Sequence, residues 1–314
     1  MNNLCDDISI NKKLNLIVQN NLVSNAYIFY GPENIGKKKT AMKFISEIIQ
    51  QNNGDFNALS KIKNNNHPDY VMIEPTYLSK GNLINQSEVN SEIKIKSKAQ
   101  IRIDQIRYIR NFLGQNSIES YKKFILIDDA HLLNESSSNG LLKTIEEPTN
   151  GMVILITSKI HLLINTIISR CQLIKFKPYS NRELEIILRK SEILSKDKNQ
   201  TFLENIIFIS NGSPGQVLEN YKNWEKIPLS IKKEIESPIY DYEKILFLAK
   251  DIANLLDLKK QEFLLDYIQY SWWKKTKNRH IVEAIESIKT NIINKIQPRL
   301  SWEIGLLQIA IRFS

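Results

Sequence analysis

The sequence predicts an α/β protein: a parallel-sheet domain of the nucleotide-binding kind over residues 1–178, followed by a region built of helices alone. Three observations carry that reading. A short apolar run ends in a glycine-containing loop that opens a helix, the order a phosphate loop requires. Strongly apolar, strand-length segments then alternate with helical patterns, which indicates a parallel sheet covered on both faces. After Pro178 no strand signal of comparable quality follows.

Residues 26–30, Ala-Tyr-Ile-Phe-Tyr, form the first buried strand and end at Gly31. From Lys39 to Gln51, the residues Ala41, Phe44, Ile45, Ile48 and Ile49 fall at helical spacing. Residues 51–68 are polar, with Asn52-Asn-Gly54 and Asn64-Asn-Asn66, and read as a loop. Tyr70-Val-Met-Ile73 is a second strand, and the polar, alternating residues 76–98 read as a mobile loop or a ribbon. Ile103, Ile106, Ile109 and Leu113 mark one face of a helix at 104–113. Phe124-Ile-Leu-Ile127 is a buried strand that ends in two carboxylates, Asp128 and Asp129. Asn134 or the serines at 136–138 cap a helix that runs to Glu147 and is stopped by Pro148. Strands at 153–157 and 173–176 complete the sheet.

Beyond Pro178 the periodicity is helical at 181–191 and 201–210, and a further helix starts at Ser213-Pro214, with proline in its first turn. Amphipathic helices follow at 240–256, 259–275, 279–296 and 302–313, punctuated by Pro228, Pro238 and Pro298. The predicted domains are therefore 1–178, a small helical domain at 179–236, and a C-terminal helical domain at 237–314.

Composition excludes several classes. With 42% hydrophobic and 25% charged residues, this is the balance of a soluble protein. No apolar run approaches the roughly 20 residues of a membrane helix. The acidic N-terminus lacks an apolar segment and is not a secretory signal. Cys5 and Cys171, far apart, form no disulfide framework and no cysteine-based zinc site. The expected address is cytoplasmic, with no membrane partner. A net charge of +9 fits either simple solubility or a polyanionic partner such as DNA.

The chemistry concentrates at two places. Gly31-Pro-Glu-Asn-Ile-Gly36-Lys37-Lys38-Lys39-Thr40 fits G-x-x-x-x-G-K and then fails, because a working loop puts Ser or Thr after the lysine to help hold Mg²⁺. Lys38 stands there instead. Gly31, Gly36, Lys37, Lys38, Asp128 and Asp129 thus form a degenerate nucleotide site. The carboxylate pair alone would suit a turn after a buried strand equally; the loop upstream favours the nucleotide fold. Elsewhere, Arg102, Arg107 and Arg110 lie on or beside the predicted helix at 104–113, either as a solvated face or as contacts to a phosphate backbone.

Ser138-Asn-Gly-Leu-Leu-Lys-Thr-Ile-Glu-Glu-Pro148 lies between Ile127-Asp-Asp-Ala-His131 and Ile167-Ile-Ser-Arg-Cys171. The set resembles the AAA+ clamp-loader family, which comprises the bacterial DNA polymerase III gamma/tau and delta-prime subunits and the eukaryotic replication factor C subunits. The resemblance covers residues 25–50 and 100–220. It implies an AAA+ P-loop domain, a small helical lid and a C-terminal collar. It assigns Arg170 as an arginine finger that reaches the γ-phosphate of a neighbouring subunit, a task suited to a planar, always-charged guanidinium. It also implies gamma/tau-like and delta-like partner subunits, a sliding clamp, and primer–template DNA in a chamber lined by Arg102, Arg107 and Arg110.

Three departures point to the delta-prime branch: Lys38 in the loop, Gly215 or Gln216 where active members carry a sensing arginine, and no long C-terminal extension. In active members the second strand-end acid is usually Glu, and Asp129 is one methylene shorter. The expectation is a non-catalytic subunit of a DNA-polymerising holoenzyme, with no ATPase of its own, no cofactor, and no zinc, since residues 50–70 hold no cysteine. The alternatives are an ATP-hydrolysing gamma/tau-like motor and a stand-alone basic DNA-binding protein. Trp272-Trp273 and Trp302 either pack the C-terminal domain's own core or form an assembly surface, and the resemblance favours the surface.

Overall fold

The computed structural model describes residues 8–79, 82–88, 98–146, 151–190 and 200–313. Contacts divide the chain into two compact units, 1–178 and 179–314.

The first unit is built on five parallel strands in the order β2-β5-β6-β1-β7. These are β1 (Ala26–Tyr30), β2 (Tyr70–Ile73), β5 (Lys123–Ile127), β6 (Gly151–Thr157) and β7 (Gln172–Lys175). Register is set by apolar pairing: Ile28 opposes Leu155 and Leu173, and Ile125 opposes Val153 and Val71. Every residue of β5 and β6 is buried, so these strands read as unbroken apolar runs rather than alternations.

Side chains of period two serve both faces. Ile28, Ile125, Ile127, Val153 and Leu155 join Ile106, Ile109, Leu113, Leu141 and Ile167 in one core, from α4 (Ile103–Leu113), α5 (Glu135–Glu146) and α6 (Asn165–Ile168). Tyr27 and Phe29 point the other way. Their rings meet Phe44 of α2 (Lys37–Asn53) at centroid distances of 5.3 and 6.3 Å, and Phe29 meets Phe176 at 5.5 Å. An N-terminal helix, α1 (Ile8–Gln19), precedes β1 and was not legible as an element in the sequence.

Two segments differ from the sequence expectation. The loop expected at 51–68 contains α3 (Ala58–Lys63), and α2 ends at Gly54, whose φ of 69° terminates it. The segment 57–69 is tied down by Asp69, whose fully buried carboxylate accepts N–H bonds from Ile118, Glu119 and Ser120 at 2.7–3.0 Å. Within 76–98, the described residues form an antiparallel hairpin of β3 (Thr76–Ser79) and β4 (Asn82–Asn85), the ribbon alternative. Glu147 and Pro148 of the helix-stop motif lie outside the described residues.

The second unit comprises α7 (Asn181–Lys190), α8 (Gln200–Ile209), α9 (Pro214–Glu225), α10 (Leu229–Glu234), α11 (Tyr242–Leu255), α12 (Leu258–Thr276), α13 (Arg279–Ile293) and α14 (Pro298–Phe313). One core runs continuously from Leu184 to Ala310. An aromatic cluster packs at its margin: the half-buried Trp224 lies 4.6 Å from Tyr267 and 4.7 Å from Phe202. The expectation that Trp272 and Trp302 face partners is corrected here. Both are fully buried, and their indole N–H groups donate to the Ile235 carbonyl (2.8 Å) and to Gln261 Oε1 (3.0 Å). A buried indole needs such an acceptor, and a partner-facing one would not find it inside its own chain. Trp273 alone is partly exposed.

Candidate nucleotide and finger sites

The phosphate loop lies at the carboxyl end of β1, between β6 and β7 and on the same sheet edge as the ends of β5 and β2, where open α/β sheets gather their ligands. Gly31 has φ 150°, and a Cβ there would sit 2.3 Å from the Phe176 carbonyl, so no other residue fits. Gly36 has φ 104° and turns the chain directly into α2. The helix thus begins at Lys37, two residues before the periodicity alone suggested.

That start places Lys37 and Lys38 in the first helical turn, pointing differently. Lys37 is 6% exposed, and its ammonium donates to the Gly31 carbonyl at 2.8 Å and to the Pro32 carbonyl. Burial pulls its pKa down, against the pull of Asp128, Asp129 and Glu33. Lys38 reaches across to β2 and β5, where its Nζ lies 2.8 Å from Glu74 Oε1 and 3.2 Å from Asp128 Oδ2. Burial opposes the charge, but Glu74 and Asp128 outweigh it and raise the Lys38 pKa. Glu74 is the reciprocal case: burial would raise it, and Lys38 with Ser87 holds it below the usual range.

The ammonium thus bridges two strand-end carboxylates, and a divalent cation taking either of them as a ligand would have to compete with it. Asp129 adopts φ 45°, and its N–H donates to Asp128 Oδ1 at 3.1 Å. Burial and the neighbouring Asp128 push its carboxyl pKa up. His131 Nδ1 stands 4.0 Å from Asp129 Oδ1 and 3.4 Å from Thr157 Oγ1 at the end of β6. Burial lowers the His131 pKa.

All six predicted loop and strand-end residues therefore converge. Glu74, His131 and Thr157 join them; His131 ends a motif quoted from the sequence, but no role at this site was legible there for any of the three. Glu74 follows β2 by one residue, but only the strand order puts β2 beside β5.

Arg170 lies on the same unit just beyond α6 and is exposed, with 40% of its side chain accessible. Its Nε pairs with Glu146 Oε1 at 2.6 Å, and its Nη1 donates to the Thr166 carbonyl at 3.0 Å. Glu146 belongs to the motif ending in Pro148, so the two sequence motifs of the resemblance meet in space. Cys171 beside it packs against the core, and burial pushes its thiol to about 12, out of reach of thiolate chemistry. On α4, Arg107 and Arg110 are exposed, with Arg107 paired to Asp104 at 2.9 Å; Arg102 is half-buried at the helix start. Ser213 precedes α9, with Pro214 in its first turn, and Gln216 donates to Asn220 Oδ1 at 3.0 Å.

A parallel sheet with a phosphate loop after its first strand, strand-end acids beside it and an all-helical second unit define an AAA+ P-loop protein. The match over residues 7–180 to the family described as DNA polymerase III, delta subunit, and over residues 183–309 to the cyanobacterial DNA polymerase III delta prime C-terminal domain, places the chain in the delta/delta-prime clamp-loader family.

Among similar proteins is the DNA polymerase III subunit delta' of Pseudomonas aeruginosa, 29% identical over 61% of this chain and 54% of that protein. The Bacillus subtilis delta' subunit is 27% identical over 56% and 49% respectively. The gamma subunit of Buchnera aphidicola subsp. Acyrthosiphon pisum is 31% identical over 56% and 50%. The matched region thus spans about half the length of these relatives. A gamma subunit-related protein of Thermotoga maritima shares the fold with a TM-score of 0.52 at 14% identity, over 96% of this chain and 99% of that one. No helix among the described residues is long and apolar enough to cross a membrane.

Proposed function

We propose that this chain is the non-hydrolysing, delta-prime-type subunit of a DNA polymerase III clamp loader in the cytoplasm. It gives Arg170 to the ATP site of a neighbouring gamma/tau-like subunit. With that subunit, a delta-like subunit and the sliding clamp it acts on primer–template DNA. The observation that carries the reading is the Lys38 ammonium between Glu74 and Asp128. It fills the chain's own cation position, while Arg170 is presented at the surface. Asp129 for Glu and the absence of arginine at Gly215 and Gln216 support the same conclusion. A gamma-like motor, the alternative suggested by the gamma relatives, would need Lys38 to vacate its two ion pairs at every binding event.

The exposed Arg107 and Arg110 suit sequence-blind contact with phosphates. Unburied apolar groups on the second unit, such as Phe247 at 67% exposure, suit its role as the assembly surface. The test is ATP turnover by the purified chain. None is expected, and turnover that Lys37→Ala abolishes would overturn the reading in favour of a motor.

A further inference from the structure

We infer that Glu146 is the positioning residue of the arginine finger, holding the Arg170 guanidinium so that its outer edge faces a neighbour's phosphate. The inference rests on the finger reading of Arg170 and deepens it. The geometry is specific. Glu146 closes α5, and Arg170 follows α6, so the pair joins two elements that pack on the same face of the sheet. Glu146 takes the guanidinium at Nε, and the carbonyl of Thr166, the second residue of α6, takes Nη1. Neither contact uses Nη2.

The two anchors hold the guanidinium through Nε and one hydrogen of Nη1, and leave Nη2 and the second Nη1 hydrogen for an incoming phosphoryl group. A carboxylate gripping both terminal nitrogens would instead compete with that phosphate. Both side chains of the pair are substantially exposed, 40% for Arg170 and 48% for Glu146, so the pair adds little to stability. Its value is orientation: an arginine with its rotamers restricted in advance loses less freedom when the transition state forms. Cys171 and Ile168, packed on the core beside it, keep the backbone of the finger from moving.

The experiment is a reconstituted complex of this chain with its gamma/tau-like and delta-like partners, clamp and primed DNA. Wild type is compared with Glu146→Ala, Glu146→Asp, Arg170→Ala and the double variant. Complex formation and KM for ATP are read beside kcat. Glu146→Ala should lower kcat several-fold, with assembly and KM unchanged, and Glu146→Asp should restore part of it. In the Arg170→Ala background Glu146→Ala should change nothing further, because the carboxylate acts only through the arginine.

An unchanged or raised kcat in Glu146→Ala, with Arg170→Ala still impaired, overturns the positioning role and leaves the finger reading intact. An additive loss in the double variant also overturns it. Unimpaired turnover in Arg170→Ala overturns the finger reading itself.

Discussion

At the residue scale, one lysine bridges two strand-end carboxylates beside the phosphate loop. Lys38 neutralises Glu74 and Asp128 at 2.8 and 3.2 Å, and Glu74's side chain is only 11% exposed. Lys38→Met should therefore strand two carboxylates. The cost is about 1–2 kcal/mol, less than for a fully buried pair because 37% of the Lys38 side chain is exposed to solvent.

The pH dependence follows from Glu74, whose folded pKa lies below its ordinary value of 4.5. Its contribution is fully present above that value and is lost as pH falls through the lowered folded pKa. Chemical denaturation at pH 7 and at pH 4 should show the gap between wild type and Lys38→Met narrowing in acid; a gap of constant size would contradict the pairing. Arg170 is the residue on which the proposed finger role rests. Arg170→Ala should leave folding and assembly near wild type yet lower ATP turnover by the complete loader. The loss is on the order of 10³ at the site served, diluted by the remaining sites. Arg170→Lys should rescue poorly, since a point charge lacks the planar fork.

At the element scale, short connections carry structural roles that their polar sequences conceal. The stretch after α2 carries α3 and then Asp69, and that carboxylate gathers three successive backbone N–H groups ahead of β5. Burial raises the Asp69 pKa, but the donors of Ile118, Ser120 and Glu119 outweigh it and hold the carboxyl below its usual 3.8. Asp69→Ala leaves those donors without an acceptor and should cost roughly 3 kcal/mol in denaturant unfolding.

Helix α4 is amphipathic in the ordinary way, with Ile106, Ile109, Phe112 and Leu113 inward. Its outer face carries Arg107, Tyr108 and Arg110. In the assembled loader, Arg107→Ala with Arg110→Ala should weaken DNA binding equally for all sequences. The slope of log K against log salt should become shallower by about 1 for each phosphate that is no longer neutralised. Adding Arg102→Ala should change less, because that side chain is half-buried. An unchanged slope in the triple variant would remove α4 from the DNA-facing surface.

At the scale of the whole molecule, the second unit is packed as one body. Phe202 and Trp224 contact Tyr267, Trp272 bonds the Ile235 carbonyl, and Lys274 pairs with Glu204 at 3.1 Å. These contacts cross position 237, the boundary expected between lid and collar. A chain cut after Ser237 would strip α8 and α9 of their packing against α12, exposing Phe202 and Trp224 where they meet Tyr267, and it should unfold from residue 179 onward or aggregate. A chain ending at Pro178 should keep a cooperative unfolding transition. Limited proteolysis and circular dichroism of the two truncations would check this. Assembly is accordingly better probed with surface substitutions such as Phe247→Ser than by truncation at 237.

The sequence by itself determined the class and the local chemistry. Unbroken apolar runs of strand length, alternating with helical patterns, point to buried parallel strands; the G-x-x-x-x-G-K spacing between a strand and a helix points to a phosphate loop, and Lys38 declares its misfit by its position in that motif. Those signals are contiguous in the chain, so they survive without coordinates. The α3 turn and the hairpin strands fell in polar stretches, where the backbone is held by distant partners such as Asp69 rather than by periodicity. The tryptophans could not be sorted between core and interface by type, because burial depends on what the neighbouring helices present. Glu74 is an ordinary acid in the sequence, and Glu146, although within the motif ending in Pro148, carries no sign there of its partner. They acquire meaning only when β2 pairs with β5 and α5 packs beside α6, bringing charges 36 and 24 residues from their partners to within 3 Å. Long-range pairing of this kind is set by the packing of the whole sheet and its helices, and only the tertiary structure decides it.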